Sequence, residues 1–294
     1  MRYTWGLIAG VVASQDSDAV DVTRIETCVK WCVANNLGVS DCIVPAVKYQ
    51  GLCFECGPAK TNPFEQLCSG KCVNTATDAG NCGGCGNTCA SGTCCGASCS
   101  SNAGLQWAHY QNLYPRTQSY WPNFDPTGVK SLTGDYNSTT TSVGLYAYNP
   151  SAQISIYGSQ QTFPATEFIL NHRGYLYAQQ NGTYTISTTA DYDIMIVWLG
   201  PLAYSGWTRS NANLESAFPT VQTVTYTSSL VQGQYYPLRL MFANAGGAGI
   251  ENITITDPSG AVILGASTTA NPSVIQYSCD GTTAPRYPLF GQET

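Results

Sequence analysis

At 294 residues the chain has room for one sizeable β domain and a smaller second unit. Its formal charge of −6 comes with only 12 Lys and Arg and no basic cluster, which excludes a surface that binds nucleic acid by neutralising phosphates. Charged residues make up 10% of the chain beside 19 Tyr and 29 Gly. That balance favours short strands joined by turns over long helices, because aromatic and β-branched side chains suit a pleated, half-buried surface.

The first thirteen residues read as a secretory signal: Arg2, an apolar run over 3–12, then Val11-Val12-Ala13 before Ser14 as a small-residue cleavage site. The mature chain is then expected to start near Ser14. The run is far shorter than the ~20 residues that span a bilayer, and residues 283–294 read as a polar C-terminal tail without a lipid-anchor signal. The expected location is therefore secreted, extracellular or cell-wall associated.

Residues 14–99 form a Cys-rich unit, with 13 of the 14 cysteines between Cys28 and Cys99. An even total in a secreted chain points to disulfides, and Asn81-Cys82-Gly83-Gly84-Cys85-Gly86-Asn87 offers turns but almost nothing to bury. Cross-links must supply the order that a core cannot. Cys53-x-x-Cys56 and Cys82-x-x-Cys85 also have zinc-ligand spacing, the lesser alternative. Five cysteines lie in 28–56, eight in 68–99 and Cys279 stands apart, so full oxidation requires a bridge between groups.

From about residue 100, strand-like runs recur between turn signals: 153–157, 167–170, 175–178, 183–187, 194–199, 221–227, 235–243, 253–256 and 261–264. Asn181-Gly182 and Asp257-Pro258-Ser259-Gly260 are strong turns. The run 194–199 is apolar on both faces, as in a strand covered on both sides. No repeat of 20 to 50 residues is evident, which sets propellers and solenoids aside. The expected class is mainly β, an antiparallel β-sandwich over 100–282 preceded by the disulfide-rich, loop-rich unit.

Three segments carry a family resemblance: Gly104-Leu105-Gln106-Trp107-Ala108, then Asp191-Tyr192-Asp193 followed by Ile194-Met195-Ile196-Val197-Trp198-Leu199-Gly200, then Tyr235-Tyr236-Pro237-Leu238-Arg239-Leu240-Met241-Phe242-Ala243-Asn244. In this order and at these separations the chain resembles the fungal GLEYA adhesin domain, a protective-antigen-like lectin sandwich related to the flocculins. The resemblance implies a cell-surface carbohydrate-binding protein whose partners are cell-surface or cell-wall glycans. It also implies that the domain's termini are tied by a disulfide, here from Cys279 to Cys99 or Cys95.

The resemblance further implies calcium. Calcium holds six to eight oxygens and accepts two vicinal sugar hydroxyls. Flocculin-type relatives use two adjacent Asp before the apolar strand and an Asn on a second loop. Here Asp193 falls at the second acidic position, Tyr192 at the first, and the other acid is displaced to Asp191. Residues two apart on an extended strand face one side, so Asp191 and Asp193 can converge on one ion with Asn244. Gly246 and Gly247 open the backbone of the second loop to a ligand, and Tyr192 is the candidate for ring stacking. The alternative is structural: Asp191 in a turn, Asp193 capping a strand, and 244–249 an ordinary hairpin loop. Trp198, Trp207 and Arg239 read as packing residues. His109 and His172 lie in strand-like contexts without a nucleophile motif, so no enzyme is expected. Asn137, Asn181 and Asn252 head glycosylation sequons. A structural wall protein and a glycan-binding accessory of a hydrolase are the competing functions.

Overall fold

A computed structural model describes residues 22–89, 93–99, 101–112, 120–190, 193–219 and 222–294. The signal-like segment 1–13 lies outside them. The chain divides into two compact units, Met1–Cys99 and Ser100–Thr294.

The first unit contains a helix that its loop-rich composition conceals. Helix α1, Val22–Ala34, buries Ile25, Cys28, Val29 and Cys32, the i, i+3, i+4, i+7 stripe of an amphipathic helix. Two of those four are cysteines, and both are cross-linked: Cys28 to Cys53 in α3, Leu52–Glu55, and Cys32 to Cys42, just before the one-turn helix α2, Val44–Val47. The apolar cluster here is only Cys28, Ala46, Cys53 and Ala59, backed by Trp31 and Phe54. Beyond it come the hairpin of β1, Glu65–Cys68, with β2, Lys71–Asn74, and the smaller one of β3, Cys94–Cys95, with β4, Ser98–Cys99. Bridges 56–72, 68–85, 82–94 and 89–99 pin these turns. No described cysteine is free. Both sulfurs of each zinc-like pair are consumed by disulfides, which rules out the zinc alternative.

The second unit is an antiparallel sandwich. Its larger sheet runs in the order β13 (Leu214–Ala217), β12 (Ile194–Leu199), β15 (Tyr235–Ala243), β10 (Phe168–Tyr177), β5 (Leu105–Gln111), β6 (Tyr136–Thr140), with β18 (Val274–Ile275) also on β10. The smaller sheet runs β14 (Val224–Leu230), β11 (Gly182–Ala190), β16 (Gly249–Thr256), β17 (Val262–Leu264), with β7 (Leu145–Ala147) also on β16. A short hairpin of β8, Gln153–Ser155, and β9, Thr162–Pro164, stands outside both. The expected strands 167–170 and 175–178 are one strand, since β10 pairs with β15 without a break through Gly174 opposite Leu238.

Alternation sorts the side chains into two cores. Between the sheets, Trp107, Leu170, Met195, Val197, Leu240 and Phe242 meet Tyr184, Ile186, Ile253 and Ile255. On the outer face of the larger sheet, Ile169, Ile194, Ile196, Trp198 and Met241 pack with Trp121, Phe124 and Trp207. Strand β12 is therefore covered on both sides, which is why 194–199 shows no polar phase.

Residues 283–294 do not form a free tail. Glu293 is buried, and its Oε1 accepts from Arg239 Nη2 at 2.7 Å and Arg173 Nη1 at 2.5 Å. Arg239 also donates to the carbonyl of Ala203, in the one-turn helix α4, Pro201–Tyr204, at 3.0 Å, and to Asn171 Oδ1 at 2.7 Å. Its guanidinium lies 4.4 Å from the Trp207 ring centroid. Arg239 is thus a packing residue whose charge is matched from the C-terminal segment. Among the described residues no helix is long and apolar enough to cross a membrane.

Candidate functional site

Strands β12 and β15 end together, with Ile194 opposite Ala243. The residue before one and the residue after the other, Asp193 and Asn244, therefore meet at one end of the larger sheet, and both are fully buried. Asn244 Nδ2 donates to Asp193 Oδ1 at 2.9 Å and to the Ala248 carbonyl at 3.1 Å. Its Oδ1 accepts from Glu167 N and Gly246 N, each at 2.9 Å. Asp193 Oδ2 accepts from Ile250 N at 3.0 Å. One amide and one carboxylate thus tie β12, the start of β10 and both ends of loop 244–250. Gly246 and Gly247 have φ of 133° and 84°, backbone that lets the loop turn back over Asn244 and that disfavours other residues.

These partners fix which way Asn244 faces: two N–H groups require its oxygen on one side, and a carboxylate and a carbonyl require its nitrogen on the other. A calcium ion shared with Asp193 needs the reverse, with Oδ1 on the carboxylate side and the donors at Glu167 and Gly246 abandoned. The pair as placed does not fit a calcium cage. Asp191 and Tyr192, the remaining acid and the stacking candidate, lie outside the described residues. Among the described residues, the one cluster of metal-type ligands is Cys82, Cys89 and Cys99, and all three are disulfide-bonded.

Cys99 pairs with Cys89, their Cα atoms 5.2 Å apart, which removes the first of the two expected partners of Cys279; Cys279 and the other, Cys95, are both oxidised. The sequon residues Asn137, Asn181 and Asn252 are all exposed, and Asn181 Oδ1 accepts from Gln232 N.

Next to the loop lies a buried polar cluster that sequence reading missed. Glu251 follows Ile250 on β16 and points between the sheets, where one carboxylate oxygen is hydrogen-bonded by the Tyr157 hydroxyl and the other stands 3.8 Å from His172 Nδ1. His172 Nε2 is 2.9 Å from the same hydroxyl. Burial pushes the Glu251 carboxyl up to about 8, against the opposing effect of the Tyr157 hydrogen bond, so it is protonated at neutral pH. Burial holds His172 neutral, down at about 3. The legible signal was phase: Gly249, Glu251, Ile253 and Ile255 alternate inward on β16, and an acid stands in an apolar series. His109, stacked 4.2 Å from Phe163 and 3.3 Å from Asp135, is likewise a packed residue.

Two facing antiparallel sheets with a carboxylate–amide pair tying a glycine-rich loop at the strand ends define a β-sandwich module with a loop-end site. The strands that build that end carry a family match: residues 168–257, from β10 to just past β16, match the model of the GLEYA domain. Among solved structures the chain is similar to the epithelial adhesin 9 A domain of Candida glabrata in complex with Galβ1-4GlcNAc, at 16% identity and a TM-score of 0.45, over 55% of this chain and 87% of the other. It is similar to the epithelial adhesin 6 A domain of the same organism, in complex with Galβ1-3GlcNAc, at 18% identity and a TM-score of 0.43, over 60% and 84%. The PA14 domain of the MpAFP antifreeze protein is a third, at 14% identity and a TM-score of 0.38, over 60% and 93%. No curated protein matches the chain.

Proposed function

We propose that this protein is a carbohydrate-binding adhesin whose β-sandwich recognises cell-surface glycans at the end formed by Asp193 and loop 244–250. The observation that carries the reading is the GLEYA match, which spans the strands that bring Asp193 and Asn244 together. Six disulfides within residues 28–99 support an extracellular location, where such bridges persist. The act is binding without covalent chemistry. Affinity per site is expected to be weak and to gain from many copies on a surface.

Calcium dependence is the finer part of the expectation, and the orientation of Asn244 speaks against it. The reading favoured here has Asp193 and Asn244 shape the loop, while the glycan's hydroxyls are met by loop backbone and neighbouring side chains. The test is a glycan array carrying Galβ1-4GlcNAc, β-lactose, mannose and N-acetylglucosamine oligomers, probed with the full chain in EDTA and in calcium. Binding in both buffers supports the reading. Binding in calcium alone restores the metal-dependent mechanism, and no binding in either turns attention to a structural wall role.

A further inference from the structure

A carbohydrate site in water needs an apolar surface for the C–H face of a sugar ring, and loop 244–248 contains no aromatic residue. We propose that Tyr148, backed by Tyr146, is that surface; the proposal rests on the carbohydrate-binding reading and deepens it. Strand β7 pairs with β16 beside the loop, Ala147 opposite Gly249 and Tyr146 opposite Ile250. Ile250 is the residue whose amide holds Asp193 Oδ2. Continued by one residue, the same antiparallel run sets Tyr148 level with Ala248, in the loop itself.

Alternation turns Ala147, Gly249 and Glu251 inward, where all three are buried, and leaves Tyr146 and Tyr148 on the opposite face. The two tyrosines are 49% and 70% exposed. Their rings are close to parallel, 23° apart, with centroids 6.3 Å from each other. Two large exposed rings held parallel, side by side with the candidate loop, are not the scattered apolar residues of an ordinary surface. Tyr146 is the less exposed of the two and faces Ile250 across the pair, while the residues of the loop beyond, Gly247, Ala248 and Gly249, are small. No charged side chain stands on this stretch of β7 or on residues 244–250, so the surface selects a neutral, flat, partly apolar ligand. A pyranose ring has that chemistry: one C–H face for the tyrosine and equatorial hydroxyls for the loop backbone.

The experiment measures affinity of the full chain for immobilised β-lactose, Galβ1-4GlcNAc, mannose and N-acetylglucosamine oligomers, with Tyr148→Ala, Tyr148→Phe and Tyr146→Ala as variants. For the probe that binds, Tyr148→Ala is expected to weaken affinity roughly 3- to 10-fold, the scale of one aromatic contact, while Tyr148→Phe stays within about twofold. Tyr146→Ala is expected to fall between them. The melting temperature of Tyr148→Ala is expected to match that of the parent, because its ring is mostly in solvent. Wild-type binding that survives Tyr148→Ala unchanged overturns the platform and leaves the carbohydrate reading standing. A wild type that binds none of the probes overturns both.

Discussion

Replacing Asn244 by Asp changes one atom group and separates a structural latch from a cation site. The variant loses the Nδ2 donor to Asp193 Oδ1 at 2.9 Å and to the Ala248 carbonyl at 3.1 Å. A hydrogen bond to a charged group contributes about 1.5–3 kcal/mol and a neutral one about 1 kcal/mol. Two carboxylates then face each other where a hydrogen bond stood, and at an effective dielectric near 20 their repulsion is on the order of 5 kcal/mol. The pair escapes most of that by sharing one proton, which raises one carboxyl's pKa and restores a donor between the oxygens. The expected cost at pH 7 is therefore about 3–5 kcal/mol, with much of it recovered towards pH 4–5. Differential scanning fluorimetry is the assay, and at about 2–4 °C per kcal/mol for a unit of this size the variant should melt roughly 6–20 °C lower at neutral pH. Millimolar calcium should not restore it. Calcium that returns the variant to parental stability at pH 7 would refute the reasoning, because a second carboxylate helps only where an ion binds.

Three further outcomes follow from the buried groups and one glycine. Glu251, pushed up to about 8 by burial, gives stability that is fully present below its ordinary value of 4.5 and is lost as pH rises through about 8; urea denaturation of Glu251→Gln should show that slope flattened. Glu293→Ala strands the guanidiniums of Arg173 and Arg239 in a buried site and should cost about 3–5 kcal/mol in the same assay, with Glu293→Gln milder. Burial raises the Glu293 carboxyl but its two arginines outweigh this and hold it below the ordinary range, so its contribution stands at neutral pH and is lost as pH falls through that lowered value. Gly104 has φ of 85°, and a Cβ there would sit 2.1 Å from the Thr140 carbonyl oxygen, so Gly104→Ala should prevent the β5–β6 pairing and give a poor yield of folded protein with early melting.

Much of the fold is legible where side-chain phase is unambiguous. The run 194–199 announces a doubly covered strand, and the structure has apolar residues on both of its faces. Residues 100–282 read as an antiparallel sandwich, and that class is what forms. Local cues fail where a distant partner decides. The expected strands stop at 170 and resume at 175, yet pairing with β15 carries β10 straight through 171–174. Helix α1 hides because two of its four buried positions are cysteines, which are counted as staples before they are counted as core. At the site, the meeting of Asp193 and Asn244 was implied by the family resemblance, which sets an acid before one apolar strand and an Asn after another. The direction of the amide was not, since it is set by Glu167, Gly246 and Ala248 across the loop. Residues 283–294 look like solvated tail because only the folded sheet reveals two arginines awaiting an acid.

That acid also sets a timetable. Arg239 precedes Glu293 by 54 residues and Arg173 by 120, so both positive strands leave the ribosome well before their counter-charge does. Strands β10 and β15 can pair with each other in the meantime, but the outer side of their sheet holds two guanidiniums that prefer water to a closed interior. Closing that side over both guanidiniums is therefore favoured only with the segment that carries Glu293 in place.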